Sequence, residues 1–310
     1  MPRVLHTAQA LVDITIELPH LPERGNNVNA AALPTATAGG AVTIVVAAAR
    51  TGASAVHGGA HGEGRNGDLV RETLRENGVA FSAPMTEGRD TGSCYVFLEP
   101  SAERTFVTCY GAERDISEKS LSTLNPQSGD LVCVSGYSLF PPTRDPLLAW
   151  LKSLDPGVIV VLDPGAPFAD FPGALRSEVL GLTGVWTSNA DEARALTGEA
   201  DAARTPAALA PLLPDGAVII VRDGPRGCWV HEDGRTTAVP GFPQVPVDTN
   251  GAGDTHTGLL LGERALGAPW VLAARRANAG AAIKVTRKGP ITAPHRADID
   301  AFLAAHTATV

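Results

Sequence analysis

The stretch Val158-Ile-Val-Val-Leu162 is apolar at every position, with no polar residue alternating through it. A strand that keeps one face in water alternates; a strand apolar throughout has both faces covered, as in a parallel sheet sandwiched between helices. Two further runs have the same character, Asp130-Leu-Val-Cys-Val-Ser135 and Ala217-Val-Ile-Ile-Val221. Helical signals fall between and before them. Asp68 to Asn77 puts Val70 and Leu74 on one face and stops at Gly78. Thr205-Pro206 reads as an N-cap with proline at the first helical position, opening a segment to Leu213. Ala41 to Arg50 is apolar nearly all round and is expected as a buried helix. Together these predict an α/β fold: a central, mainly parallel sheet with helices on both faces.

Two stretches break that rhythm. Ile14 to about Ala38 contains Pro19, Pro22, Gly25 and Pro34, with β-type fragments between. Thr91 to about Tyr110 carries Cys94-Tyr-Val-Phe-Leu98 and Thr105-Phe-Val-Thr108 around a turn at Pro100-Ser-Ala-Glu103. Both read as short antiparallel strands attached to the α/β body. Strands from the two stretches are expected to pair into one small sheet, a β lid over a cleft. Length alone would favour two domains. The βα rhythm instead predicts one domain over 1–310, with the lid formed by about 14–38 and 91–110.

Composition removes several classes of function. A net charge of −8 argues against a nucleic-acid binder, whose footprint is basic. No apolar run reaches the ~18 residues of a membrane span, and the N-terminus lacks a basic-then-apolar signal. A cytoplasmic protein, neither secreted nor membrane-bound, is expected. Cys94, Cys109, Cys133 and Cys228 show no CxxC spacing and read as reduced thiols.

Gly62-Glu-Gly64-Arg-Asn-Gly67 is a GxGxxG pattern, which can bring backbone up to a dinucleotide pyrophosphate. In a chain with 33 glycines it is weak, and no acidic ribose-binding residue follows at the right distance. A glycine-rich turn into a helix is the default. His57 and His61 lie four apart in a glycine-rich loop without a third ligand, so a metal site there is not expected. Neither a GxxxxGK[ST] loop nor a GxSxG elbow is present.

The most informative segment is Asp248-Thr-Asn-Gly251-Ala-Gly253-Asp254-Thr-His-Thr-Gly258, running into an apolar helix. Small residues before a helix let successive N–H groups point at one spot, an anion cradle. Asp254 would repel a bound anion unless it has chemical work, such as taking a proton from an attacking hydroxyl. The alternative is a capped helix whose first-turn aspartate suits the dipole. On this segment alone the two readings stand even.

Asp248 to Asp254 also resembles the signature of the ribokinase-like (PfkB) carbohydrate kinases, in which the aspartate after Gly-Ala-Gly is the catalytic base. Further motifs follow in the family's order. Ala277-Asn-Ala-Gly-Ala-Ala-Ile-Lys-Val-Thr-Arg-Lys-Gly289-Pro and Ile299-Asp-Ala-Phe-Leu303 look like the C-terminus of bacterial ribokinases. Asn189-Ala-Asp-Glu192 is similar to the NxxE motif, and Asp223-Gly-Pro-Arg-Gly227 to the glycine-rich turn near the nucleotide. Asp13 and Pro22-Glu-Arg-Gly25 match the sugar-binding aspartate and the turn after the first lid strand. Gly39-Gly40 with Ala47-Ala-Ala-Arg-Thr-Gly52 matches the diglycine and its helix. Each motif is modest; six in order are specific.

The resemblance implies the same fold and an ATP-dependent kinase acting on a hydroxymethyl group of a sugar or sugar-like compound. By the same resemblance, Asp254 is the base and Gly251, Ala252 and Gly253 form the cradle. Asp13, Gly39, Gly40 and Thr43 meet the sugar. Asn189, Glu192, Gly224, Gly227 and Asn278 lie toward ATP and Mg²⁺. Independently of the family, Asn189 and Glu192 stand one helical turn apart, which suits either a shared metal or water, or an N-cap with its first-turn acid. A monovalent cation, K⁺ in ribokinases, is implied near Asp248, the carbonyl of Asn250 and the Val285–Pro290 loop. A homodimer through the lid edges is the partner the family implies.

Departures fall at the sugar end. Thr43 and Leu11 stand where asparagines are usual, and His256 replaces an aromatic residue. Gly59-Ala-His-Gly-Glu-Gly64 lacks the aspartate of the corresponding turn. A nucleoside kinase of the same family (adenosine, inosine or pseudouridine type) and a non-catalytic sugar- or nucleotide-sensing protein are the alternatives. The intact Asp254 segment counts against the second.

Overall fold

The computed structural model describes residues 1–101 and 103–307. Each of the three apolar runs forms a strand that starts one residue later than the run: Leu131–Ser135, Ile159–Asp163 and Val218–Arg222, the last two also ending one residue later. They belong to a nine-stranded sheet. Its order is Arg235–Pro240, Gly227–Glu232, Val218–Arg222, Val185–Asn189, Ile159–Asp163, Leu131–Ser135, Val4–His6, Ala55–His57, Ala80–Phe81. The seven strands from Val218–Arg222 onward run parallel, and the first two add an antiparallel edge.

Alternation explains why the runs are apolar throughout. Cys133, Val161, Val185 and Ile220 pack into one core, against helices Ala41–Arg50, Ala252–Ala265 and Trp270–Val285. Val132, Val134, Leu162, Trp186, Ile219 and Val221 pack into a second core on the opposite face, against Leu147 and Leu151 of helix Arg144–Lys152. The register brings polar strand ends into line, since Ser135 pairs with Asp163 and Asn189 with Arg222. That places a row of polar groups at the carboxyl edge of the sheet, where open α/β sheets hold ligands.

The helix expected over Asp68 to Asn77 spans Arg65–Glu76. It starts earlier because the Asp90 carboxylate accepts from the N–H groups of Asn66 (3.1 Å) and Gly67 (2.9 Å). The GxGxxG helix start is thereby occupied by a carboxylate of the chain itself, which leaves no room there for a pyrophosphate. At the other predicted start, the helix spans Thr205–Leu209 and passes into a 3₁₀ turn, Ala210–Leu212. Thr205 is its first helical residue and Arg204 its N-cap, so the proline sits one position deeper than expected. Ala41–Arg50 is the buried helix its composition predicts.

The lid is a four-stranded sheet in the order Thr35–Gly40, Ala10–Glu17, Ser93–Leu98, Arg104–Cys109. Its outer pairs are antiparallel, but the central pair, one strand from each stretch, is parallel. The first strand begins at Ala10, before the expected Ile14, and no strand occurs between Leu18 and Pro34. Prolines 19, 22 and 34 lack the N–H a ladder needs. Ala102, within the turn predicted at Pro100–Glu103, lies outside the described residues. No helix among the described residues is long and apolar enough to cross a membrane.

Candidate active site

Gly251 is the N-cap of helix Ala252–Ala265 and takes a left-handed conformation, φ 72°. A side chain there would be strained, and its Cβ would press to 3.1 Å from the Pro290 carbonyl oxygen. No side chain caps this helix, in contrast to the helices begun by Ser117 and Asn189. The N–H of Ala252 turns back to the Thr249 carbonyl at 3.2 Å. With Ala252 engaged there, Gly253 and Asp254 in the first turn are the groups left as candidates for the expected cradle.

Asp254 is half-buried, and its pKa is raised to about 7. Burial is the first cause; the nearby carboxylates of Asp163, Asp13 and Glu192 push the same way, while Arg222 opposes them. Arg222 binds this cluster together. Its Nη1 donates to Asp163 Oδ2 (3.3 Å), to the Gly253 carbonyl (3.2 Å) and to Thr257 Oγ1. Its Nη2 lies 3.9 Å from Glu192 Oε2. Thr257 Oγ1 in turn donates to Asp163 Oδ2 at 3.1 Å. Sequence reading passed over Asp163 and Arg222, although each stands immediately after an apolar run, where a parallel strand delivers side chains to a cleft.

Asp13 lies on lid strand Ala10–Glu17, and burial raises its pKa to about 6. A methyl group at Gly39, on the paired strand Thr35–Gly40, would overlap the Asp13 carboxylate. Gly40 (φ 58°) lets the chain turn into helix Ala41–Arg50, whose Ala41 N–H bonds the Gln9 carbonyl at 3.0 Å. Thr43 is buried in that helix, with its methyl group toward Gly251. Leu11 pairs with Gly39 and lies two residues from Asp13, so both side chains share a face of the strand. This joins the residues expected at the sugar to the Gly251 turn through the lid strands and one helix.

On the other side of the cradle is a cavity of about 470 Å³. Asn189, Gly224, Gly227, Ala252, Gly253 and Asn278 all line it, together with Phe242 and Val285. His256 and Asn278 are locked together, His256 Nε2 lying 3.0 Å from Asn278 Oδ1. Asn278 Nδ2 donates onward to the carbonyls of Val239 (3.0 Å) and Pro240 (3.2 Å). Burial lowers the His256 pKa to about 3, so the ring is neutral and its Nε2–H is the donor to asparagine. Asn189 and Glu192 form a reciprocal capping box: Asn189 Oδ1 accepts from the Glu192 N–H (2.8 Å), and Glu192 Oε2 accepts from the Asn189 N–H (2.9 Å). The N-cap alternative for this pair is thus realised, while the Asn189 side of it lines the cavity.

Asp248 and Asn250, the expected monovalent-cation donors, precede the cradle. Asp248 Oδ1 accepts from Arg104 Nη2 (2.5 Å) and the Asn250 N–H (2.8 Å). Its Oδ2 accepts from the Gly289 N–H (2.9 Å), and its carbonyl from Lys284 Nζ (2.8 Å). Among the described residues no cluster of three or more histidine, cysteine, aspartate or glutamate side chains is arranged to hold a metal.

A sheet whose carboxyl edge meets an uncapped glycine-rich helix start, roofed by a β lid, defines a carbohydrate-kinase architecture. The pfkB family carbohydrate kinase model matches residues 7–296, and the chain belongs to that family of alcohol-accepting phosphotransferases. It is 30% identical over 298 residues to an uncharacterized sugar kinase of Escherichia coli K12, YegV, covering 96% of this chain and 92% of that one. It is 28% identical to the ribokinase of Haemophilus influenzae, covering 89% and 90%. The structure of Arabidopsis thaliana ribokinase complexed with ribose and ATP superposes with a TM-score of 0.81 at 24% identity, covering 97% of this chain and 98% of that chain.

Proposed function

We propose that this sugar kinase transfers the γ-phosphoryl group of ATP to a hydroxymethyl group of its acceptor, with Asp254 as the base. The observation that carries the reading is a half-buried carboxylate poised near neutrality, pKa about 7, in the first turn of a helix that no side chain caps. A base with a pKa near the working pH has both a useful deprotonated fraction and affinity for the proton it must take. The N–H groups of Gly253 and Asp254 act on charge developing at the transferred group, and such preorganised donors are worth roughly 3 kcal/mol each. Arg222 holds the Gly253 carbonyl and balances Asp163 and Glu192, which keeps Asp254 from rising further.

Asp13, with Gly39 leaving room beside it and Gly40 turning the chain into the next helix, fixes the acceptor hydroxyls, and Thr43 closes the site next to Gly251. The nucleotide occupies the cavity beside Gly224, Gly227 and Asn278, whose small and apolar lining fits a purine. Mg²⁺, when bound with the nucleotide, would supply charge neutralisation, with Glu192 and Asn189 at that end of the cleft. Leu11 puts an apolar wall on the face it shares with Asp13, where a sugar hydroxyl would be left unpaired at a cost of roughly 1–3 kcal/mol. Ribose is therefore not the preferred acceptor, and one with a deoxy carbon, a methyl group or a base in that direction is. Acceptor-dependent ADP release across ribose, deoxyribose, fructose, 2-keto-3-deoxygluconate, adenosine and pseudouridine tests this. A lead for ribose of about tenfold in kcat/KM would sink the argument from Leu11.

A further inference from the structure

The turn that carries the cradle is tied down by cations belonging to the chain itself. Lys284, in the last turn of helix Trp270–Val285, is fully buried, and its Nζ donates to the Asp248 carbonyl at 2.8 Å. Arg104 reaches the same residue from lid strand Arg104–Cys109, its Nη2 standing 2.5 Å from Asp248 Oδ1. The other carboxylate oxygen is taken by the Gly289 N–H. The Val285 carbonyl, at the start of the adjoining loop, accepts from the N–H groups of Val247 (2.7 Å) and Asp248 (3.0 Å).

A bound monovalent metal ion needs several oxygens that can replace its hydration shell. Here the oxygens of Asp248 and Val285 already serve N–H donors, an ammonium and a guanidinium. A further cation among them would also meet two like charges at short range, which disfavours it strongly in a partly buried site. These residues do not fit a K⁺ site of the kind the family resemblance implies.

We propose that Lys284 is a positioning residue that replaces a monovalent cation: its ammonium holds the Asp248–Gly251 turn against the helix end and keeps the cradle in register. The proposal rests on the phosphoryl-transfer reading above. The geometry supports a mechanical link. Lys284 binds the turn three residues before Gly251, and the loop that follows Lys284 returns to Gly251 through the Pro290 carbonyl. The tether is covalent to the chain, so the turn is ordered at any salt composition.

The test compares wild type in KCl and in tetramethylammonium chloride at equal ionic strength, reading both Tm and kcat. Wild type should show the same Tm in both and a kcat equal within about twofold. Lys284→Met keeps the length and removes the charge. Its kcat in tetramethylammonium should fall by about tenfold or more, and K⁺ or methylammonium should restore part of the loss. A wild type whose Tm rises in KCl, or whose kcat is raised about tenfold by it, would overturn the proposal. So would a Lys284→Met enzyme equally impaired in every salt, because a merely structural lysine is not rescued by ions. If the variant does not fold, the wild-type comparison decides alone. Absence of phosphoryl transfer to any acceptor would refute the kinase reading, while the Tm comparison would still decide cation binding.

Discussion

Asp13 and Gly39 stand so close across two paired lid strands that the carboxylate occupies the space a β-carbon at position 39 would need. The glycine is thus a steric requirement of the aspartate, and the two form one unit of the proposed acceptor site. Asp13 is also within electrostatic reach of Asp254, so the lid and the cradle share one field.

Gly39→Ala should push the Asp13 carboxylate aside without touching the nucleotide cavity. The expected result is a rise of about tenfold in acceptor KM, with KM for ATP unchanged. Steady-state kinetics with each substrate varied in turn would check it. An unchanged acceptor KM would detach Asp13 from the acceptor.

The pH dependence follows from the raised pKa of Asp254. The base must be deprotonated, so kcat/KM for the acceptor should fall tenfold per unit as pH drops below about 7 and level off above it. Asp163 raises this pKa by like-charge repulsion, so Asp163→Asn should move the acid limb to lower pH. A limb that stays put in this variant would mean that the carboxylate cluster does not tune the base.

Acid stability carries a separate signature. His6, His57 and His256 are buried and neutral, each with its pKa lowered by desolvation to about 3. The unfolded chain takes up their protons below pH 6.5, so their contribution is complete above that value and is lost as pH falls toward 3. Asp13 and Asp254, raised to about 6 and about 7, act oppositely: the folded state holds their protons, which favours it on the acid side. Neither ring nitrogen of His57 has a hydrogen-bond partner, which makes it the cleanest probe. His57→Leu should flatten the acid loss of unfolding free energy by about 1.4 kcal/mol per pH unit between roughly pH 6 and 4. Urea titrations at several pH values measure it, and parallel curves for the two proteins would refute the assignment.

The sheet was legible because its central strands are covered on both faces, so Val158–Leu162 and its counterparts carry no polar interruption. The segment proposed as a cradle stood out because its glycines and Asp254 are contiguous. What escaped depends on contacts between distant parts of the chain. Asp90 caps a helix beginning 25 residues before it, as the bond to Arg65's neighbour Asn66 shows. Arg104 meets Asp248 across 144 residues, and Lys284 reaches back 36 to the same residue. No local pattern marks a lysine in an alanine-rich helix as the one that turns inward. Arg222 and Asp163 were within reach of sequence reasoning, had the residue following each apolar run been counted as part of the strand.

The central claim is that Asp254 takes the proton of the acceptor hydroxyl. Asp254→Asn preserves the shape of the side chain and removes the acceptor for that proton. Turnover of ATP with the best acceptor, measured beside the ATP dissociation constant of the same variant, separates chemistry from binding. The account predicts a kcat lower by about 10²-fold or more, with ATP binding unchanged. A variant that turns over within about threefold of wild type would contradict it.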